Sequence, residues 1–293
     1  MIVVKLMGGL GNQLFQYATG RALALKYQTE LKLDLSLLNA DPKNVYTKRE
    51  LELHVFNITA SIASNNELEV FYKRTFFQKV VTKLFPSFPS KYFIRNQKGF
   101  EYDDAFESYP NNSYLNGYWQ SEKYFDSIRE VLLKELVIKK EMTAHCKSTK
   151  DLILNSNSVS LHIRRGDYVS DKSASVYHGT LPLDYYDKAM AHLNGLFKDV
   201  KVFIFSDDMD WVKVNLKLIN ECFYVDFNTG ENSVFDMYLM SQCKHNIIAN
   251  SSFSWWGAWL NQNPQKTVIA PEKWFADKNL NTKDLIPNSW LKM

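Results

Sequence analysis

Cysteine is scarce in this chain of 293 residues: Cys146, Cys222 and Cys243 are the only three. Their odd number, wide spacing and lack of a C-x-x-C pair exclude a disulfide framework and argue against a thiolate zinc site. An excess of one charge is missing too. Thirty-five Lys and Arg stand against 32 Asp and Glu, a formal net charge of +3. No basic run interleaved with aromatics occurs, so no nucleic-acid partner is expected. No apolar run approaches a membrane span. The N-terminus runs straight into Ile2-Val3-Val4-Lys5-Leu6 with no basic n-region or cleavage site, so no signal peptide is expected. Internal repeats and low-complexity tracts are also missing. These absences point to a cytoplasmic globular protein, in which the Asn-x-Ser/Thr triplets at Asn57, Asn111 and Asn250 carry little weight.

Aromatic residues are plentiful: 7 Trp, 16 Tyr and 19 Phe. Most must fill a core, but flat apolar faces also suit stacking on sugar rings. Two α/β halves follow from the periodicities. In the first, a strand at 2–6 meets a glycine turn, a helix over about 13–27 and a strand at 31–35. The stretch 40–115 gives weak periodic signals. Tyr124, Ile128, Leu132 and Leu136 predict an amphipathic helix over about 121–136. The polar residues 147–158 are the expected linker. The second half alternates strands at 159–163, 201–205, 222–226, 245–249 and 266–270 with helices near 183–197, 209–218, 233–243 and 254–261. That alternation predicts a mostly parallel sheet. The expected domains are 1–150 and 151–293.

Three motifs could carry chemistry. In Val159–Tyr168 a strand delivers Arg164, Arg165 and Asp167 to its C-terminal end, where open α/β sheets bind ligands. Guanidinium forks there suit an anion; the alternative is a surface Arg-Asp pair after an ordinary strand. Gly8-Gly9-Leu10-Gly11-Asn12-Gln13 lets backbone approach a ligand at a helix start, or is a tight turn with Asn12 as N-cap. In 236–259, a helix carries Asp236, and Asn250-Ser251-Ser252 opens another helix. Hydroxyls and N–H groups at such a start form a phosphate cradle; otherwise Ser252 or Ser254 only caps the helix while Trp255, Trp256 and Trp259 pack in the core. A fourth cluster, Ser206-Asp207-Asp208-Met209-Asp210, could hold a divalent cation beside a diphosphate. The simpler reading has Asp207 or Asp208 cap the helix near Met209.

The combination of residues 8–18, 162–168 and 250–259, in that order, resembles the bacterial α-1,2-fucosyltransferases of glycosyltransferase family 11, from residue 2 to about 271. The resemblance implies an α/β fold of GT-B type, with two Rossmann-like domains facing a cleft. The acceptor side would be 1–150, and 151–293 would bind GDP-β-L-fucose. It further implies an inverting transfer of fucose to the 2-hydroxyl of a terminal galactose in a β-galactoside glycan, in oligosaccharide or O-antigen biosynthesis. GDP-fucose would be a co-substrate, with no cofactor and no catalytic metal.

Matched motif by motif, Arg164 would grip the diphosphate and His162 would lie beside the nucleoside. Asp236 would read the guanine edge, a role a carboxylate can fill by accepting from N1–H and the exocyclic amine together. Asn250, Ser251 and Ser252 would complete the donor site, while Asn12 and Gln13 would lie near the reacting sugar. Asp167 and His178 are the candidate bases. The acceptor could be lipid-linked and reached by peripheral contact at the inner membrane surface. The rival readings are transfer to another acceptor position, a metal-dependent sugar transferase using Asp207 and Asp208, and a non-catalytic nucleotide-sugar sensor.

Overall fold

Apolar runs bounded by turn residues make strands that can be buried on both faces, and both halves of the chain use them in all-parallel sheets. The computed structural model describes residues 1–40, 49–72, 92–166, 179–277 and 279–293. It divides into two compact units, Met1–Lys139 with Lys283–Leu285, and Lys140–Thr282 with Ile286–Met293.

In the first unit, β1 (Ile2–Lys5), β2 (Leu31–Asp34), β3 (Ser61–Ile62), β4 (Phe93–Asn96) and β5 (Ser113–Asn116) lie in the order β3-β2-β1-β5-β4. Every pair is parallel. Helix α1 (Leu10–Lys26) joins β1 to β2, and α2 (Asn65–Tyr72) and α3 (Arg129–Glu135) follow in the chain. Helix α1 is buried nearly all round, polar residues included. Gln16 satisfies its amide on the backbone N–H and C=O of Met7. Tyr17 and Arg21 both bond the Glu135 carboxylate, which also accepts from Thr59.

The second unit orders β6 (Asn157–Ile163), β7 (Val200–Ser206), β8 (Glu221–Val225), β9 (His245–Ile247), β10 (Val268–Ala270) and β11 (Leu291–Lys292) as β11-β10-β9-β6-β7-β8. Its helices are α4 (Ala144–Leu154), α5 (Leu183–Leu196), α6 (Met209–Asn215), α7 (Val234–Gln242) and α8 (Ser252–Trp259). Val159, Leu161, Ile163, Val202, Ile204, Ile247 and Ile269 pack with Tyr186, Ala189, Met190 and Leu193 of α5 in one core cluster. Trp255, Trp256 and Trp259 are buried in mutual ring contact.

Three expectations change. Residues 147–158 are not a linker, because Ala144–Leu154 is helix α4, with Thr143 accepting from the Cys146 N–H as its cap. The helix expected over 121–136 is broken into two 3-10 turns, Glu122–Tyr124 and Asp126–Ile128, before α3. Phe125 between them is extended in φ at −147°. Ser121, not a helical residue, caps the first turn. The sheet of the second unit also gains a sixth strand, β11, beside β10.

Candidate active site

In an open parallel sheet the loops after two neighbouring strands part where the chain reverses its direction of winding, and ligands bind in the crevice left there. In the second unit the chain runs β6, β7, β8 outward and then returns to the other side of β6 with β9. The switch point is therefore between β6 and β9. The loop after β6 begins with Arg164, and the loop after β9 leads through Asn250 and Ser251 into α8. With Leu161 level with Ile247, the same register continued puts Arg164 level with Asn250. On the other flank Ile163 is level with Ser206, which brings Asp207 beside Arg164. The ion pair there, Arg164 Nη1 to Asp207 Oδ2, is 3.1 Å.

Arg165 does a different job from Arg164. Its N–H donates to Asp207 at 2.9 Å, its Nε to Asp208 at 3.3 Å, and its guanidinium lies 3.5 Å from the centre of the Trp211 ring. Arg165 is thus held as a strut, a role in which Trp211 could not be foreseen. Asp208 is the N-cap of α6, accepting from the Trp211 N–H at 3.4 Å. Gly166 lets Asp207 come close, since a Cβ on residue 166 would stand 2.5 Å from Asp207 Oδ2. Among the described residues no group of three or more His, Cys, Asp or Glu is placed to hold a metal ion.

Ser251, rather than Ser252 or Ser254, caps α8; its hydroxyl accepts from the Phe253 N–H at 3.3 Å. Ser252 is half-buried at the first position of the helix, where N–H groups and the helix dipole favour an anion. Asn250 is buried and donates to the backbone oxygens of Gly179 and Trp274, 3.1 and 3.2 Å away, so it ties the rim of the crevice together. His162, on β6, is buried beneath Arg164 with Nδ1 unpartnered among the described residues. Burial pushes its pKa down to about 4, helped by Arg164 and opposed by Asp207, so the ring is neutral near pH 7. Phe253, unforeseen, lies 6.1 Å from it.

Asp236 lies in the first turn of α7, reached from the end of β8, two strands along the same sheet. Asn228, also unforeseen, donates to its Oδ1 at 2.8 Å. Burial pushes the Asp236 carboxyl up to about 7. Asp167 and His178 lie outside the described residues.

In the first unit Gly8 has φ +75°, which favours glycine. The N-cap of α1 is Gly9 and not Asn12. Asn12 instead accepts from Gln120 Nε2 at 2.7 Å. Gln13 is expected beside the sugar but is fully buried. Its amide donates to Gly8 O and Glu50 O and accepts from the Glu52 N–H. It fixes the loop through both of its amide hydrogens and its carbonyl oxygen.

The family model described as "Glycosyl transferase family 11" matches residues 1–293. An O-antigen biosynthesis glycosyltransferase, WbnK of Escherichia coli, is 36% identical over 303 residues, covering 98% of this chain and 99% of that protein. An alpha-1,2-colitosyltransferase of Escherichia coli is 37% identical over 300 residues, covering 100% and 99%. Among solved structures, the NodZ alpha-1,6-fucosyltransferase soaked with GDP-fucose superposes with a TM-score of 0.51 at 15% identity, covering 88% of this chain and 92% of that one. The fold is of the GT-B type, with one Rossmann-like sheet in each unit.

Proposed function

The chain belongs to glycosyltransferase family 11, and from that premise we propose that it transfers L-fucose from GDP-β-L-fucose to the 2-hydroxyl of a terminal galactose in a glycan. The transfer inverts the anomeric centre, giving an α-1,2 linkage, and needs neither metal nor organic cofactor. The observation that carries the proposal is Arg164 at the β6/β9 switch point, level with the start of α8. A cation and a helix N-terminus on the two sides of one crevice are the complement of a diphosphate.

Departure of GDP from an oxocarbenium-like centre is the difficult event. Charge then builds on the β-phosphate, where Arg164 and the N–H groups around Ser252 stabilise it. His162, neutral beneath Arg164, adds no competing charge. Asp236 accepts from the guanine N1–H and amine. The acceptor hydroxyl gives up its proton late, to Asp167 or His178. Asp207 and Asp208 are occupied as the partner of Arg164 and as the cap of α6, which supports the metal-free reading. The enzyme would work in the cytoplasm on glycan precursors.

The relative named for alpha-1,2-colitosyl transfer, matched over its full length, favours a second reading, in which the sugar moved is colitose. Both are tested by incubating the protein with GDP-fucose or GDP-colitose and a panel of β-galactosides, with product linkage read by NMR. An α-1,2-fucoside is the expected product. Exclusive use of GDP-colitose selects the second reading, and no product from either donor refutes both.

A further inference from the structure

Asp236 stands in the first turn of α7, at the end of the connection that leaves β8, and is half-buried rather than closed off. Taking a carboxylate out of water is unfavourable unless other donors replace the water. Asn228 supplies such a donor, Nδ2 to Asp236 Oδ1 at 2.8 Å. Asn228 is itself only 7% exposed. Its side chain also lies within hydrogen-bonding reach of the Cys146 sulfur on α4.

The amide is held in place from α4. Phe227, the preceding residue, stacks on His145 with ring centroids 3.8 Å apart and planes at 17°. Cys146, next to His145, is fully buried. Helix α4 thus clamps the β8–α7 connection at 227 and 228. Among the described residues no ion pair competes for Asp236. Lys150 of α4 lies over the Tyr238 ring at 5.9 Å, Glu231 of the turn Gly230–Asn232 pairs with Lys140 at 3.6 Å, and Asp226 pairs with Lys213 at 2.7 Å. Helix α8, which packs on α7, carries no ionisable side chain. Burial, with Asp236 nearby, pushes the Cys146 thiol up, so it stays uncharged. Burial and Asn228 are therefore what set the state of Asp236. A carboxylate has about four lone-pair sites; the Asn228 bond uses one of them, on Oδ1.

We infer that Asn228 is a positioning residue for base recognition: by donating to Asp236 Oδ1 it favours the charged carboxylate and fixes its direction, leaving the remaining lone pairs for the N–H edge of a guanine. The inference rests on the guanine role of Asp236 proposed above and assigns the residue that prepares it.

The test measures the Kd of GDP by titration calorimetry on the full chain at about pH 7 and about pH 9, for the parent, Asn228→Ala, Asn228→Asp and Asp236→Asn, with UDP as the competing nucleotide. The ratio of variant to parent Kd at each pH cancels the titration of the diphosphate. Loss of a hydrogen bond to a charged group should raise the pH at which Asp236 ionises by about one unit. From a starting value of about 7, Asn228→Ala should then bind GDP about fivefold more weakly at the lower pH and nearly like the parent at the higher one. Asn228→Asp, of the same size but with a second carboxylate in place of the donor, should carry the deficit to the higher pH as well. A Kd ratio for Asn228→Ala that is the same at both pH values overturns the inference, because a merely structural defect weakens binding at both. A second measurement leaves residue 228 intact: in the 15N-labelled parent one side-chain amide should shift with a midpoint of about 7, and that shift should vanish in Asp236→Asn. Its absence from the parent overturns the inference even if the variants at 228 fail to fold. If Asp236→Asn keeps the parent's preference for GDP over UDP, the guanine reading falls and the inference with it. If Asp236→Asn loses that preference while the Asn228→Ala ratio stays level, the guanine reading stands and only the role of Asn228 falls.

Discussion

Arg164→Ala separates stability from catalysis, because the two effects differ widely in size. The Arg164–Asp207 pair is about one-quarter exposed on each side. A pair of that kind contributes only about 0–1 kcal/mol. Asp207 is not orphaned by the change, since it still accepts from the Arg165 N–H at 2.9 Å. The melting temperature should therefore fall by no more than about 3 °C. Loss of one preorganised donor to the departing phosphate should cost about 3–4 kcal/mol in the transition state, or roughly 10²–10³-fold in kcat. The assay is GDP release at saturating GDP-fucose and galactoside, run beside a thermal melt. Arg164→Lys should recover little, because a point charge replaces a fork. A kcat for Arg164→Ala within about threefold of the parent, where a 10²-fold loss is expected, would refute the assignment of this arginine to the leaving group.

Asp236→Asn should weaken GDP binding and erase the preference for GDP over UDP and ADP, read by competition. With the Asp236 carboxyl pushed up to about 7, GDP affinity should rise with pH through about 7 and level off above it, and Asp236→Asn should flatten that profile. The same group is protonated in the folded protein where the unfolded chain releases the proton, so it should make stability decline as pH rises from about 4 to 7. Gln13→Ala removes a buried amide that makes three hydrogen bonds to the loop backbone. It should cost about 2–3 kcal/mol of stability, visible as a lower denaturant midpoint. Initial rates should survive EDTA; complete loss restored by Mg²⁺ or Mn²⁺ would return Asp207 and Asp208 to metal binding.

Strand β6 was readable because Val159, Leu161 and Ile163 face one core and the strand is buried on both faces. Once such strands alternate with helices, a parallel sheet follows, and with it the edge that carries Arg164. Helix α4 escaped because Cys146 and Ile153, its only fully buried side chains, are two turns apart, too sparse a stripe to stand out from polar residues. β5, Ser113–Asn116, is short and half polar. Non-local contacts were the larger loss. Asn12 reads locally as a cap, but its partner is Gln120, 108 residues away. Asp207 reads as a cap too, and only the β6/β7 register shows that it belongs to Arg164. Gln13 has the right chemistry for a ligand, and only the structure shows that its amide also holds the loop backbone at Gly8, Glu50 and Glu52.

The close approach of Gly166 to Asp207 has a consequence for how this site can change by mutation. Any side chain at 166 displaces the carboxylate that steadies Arg164, while a smaller residue at 207 makes room for that side chain but removes the Asp207 ion pair from the arginine. The three positions are therefore epistatic. A library that varies residue 166 alone should be enriched in the parent glycine when selected for activity. One that varies 166 and 207 together should recover folded variants in which the Asp207 ion pair to Arg164 is altered, and these are the natural starting points for accepting a donor of altered shape.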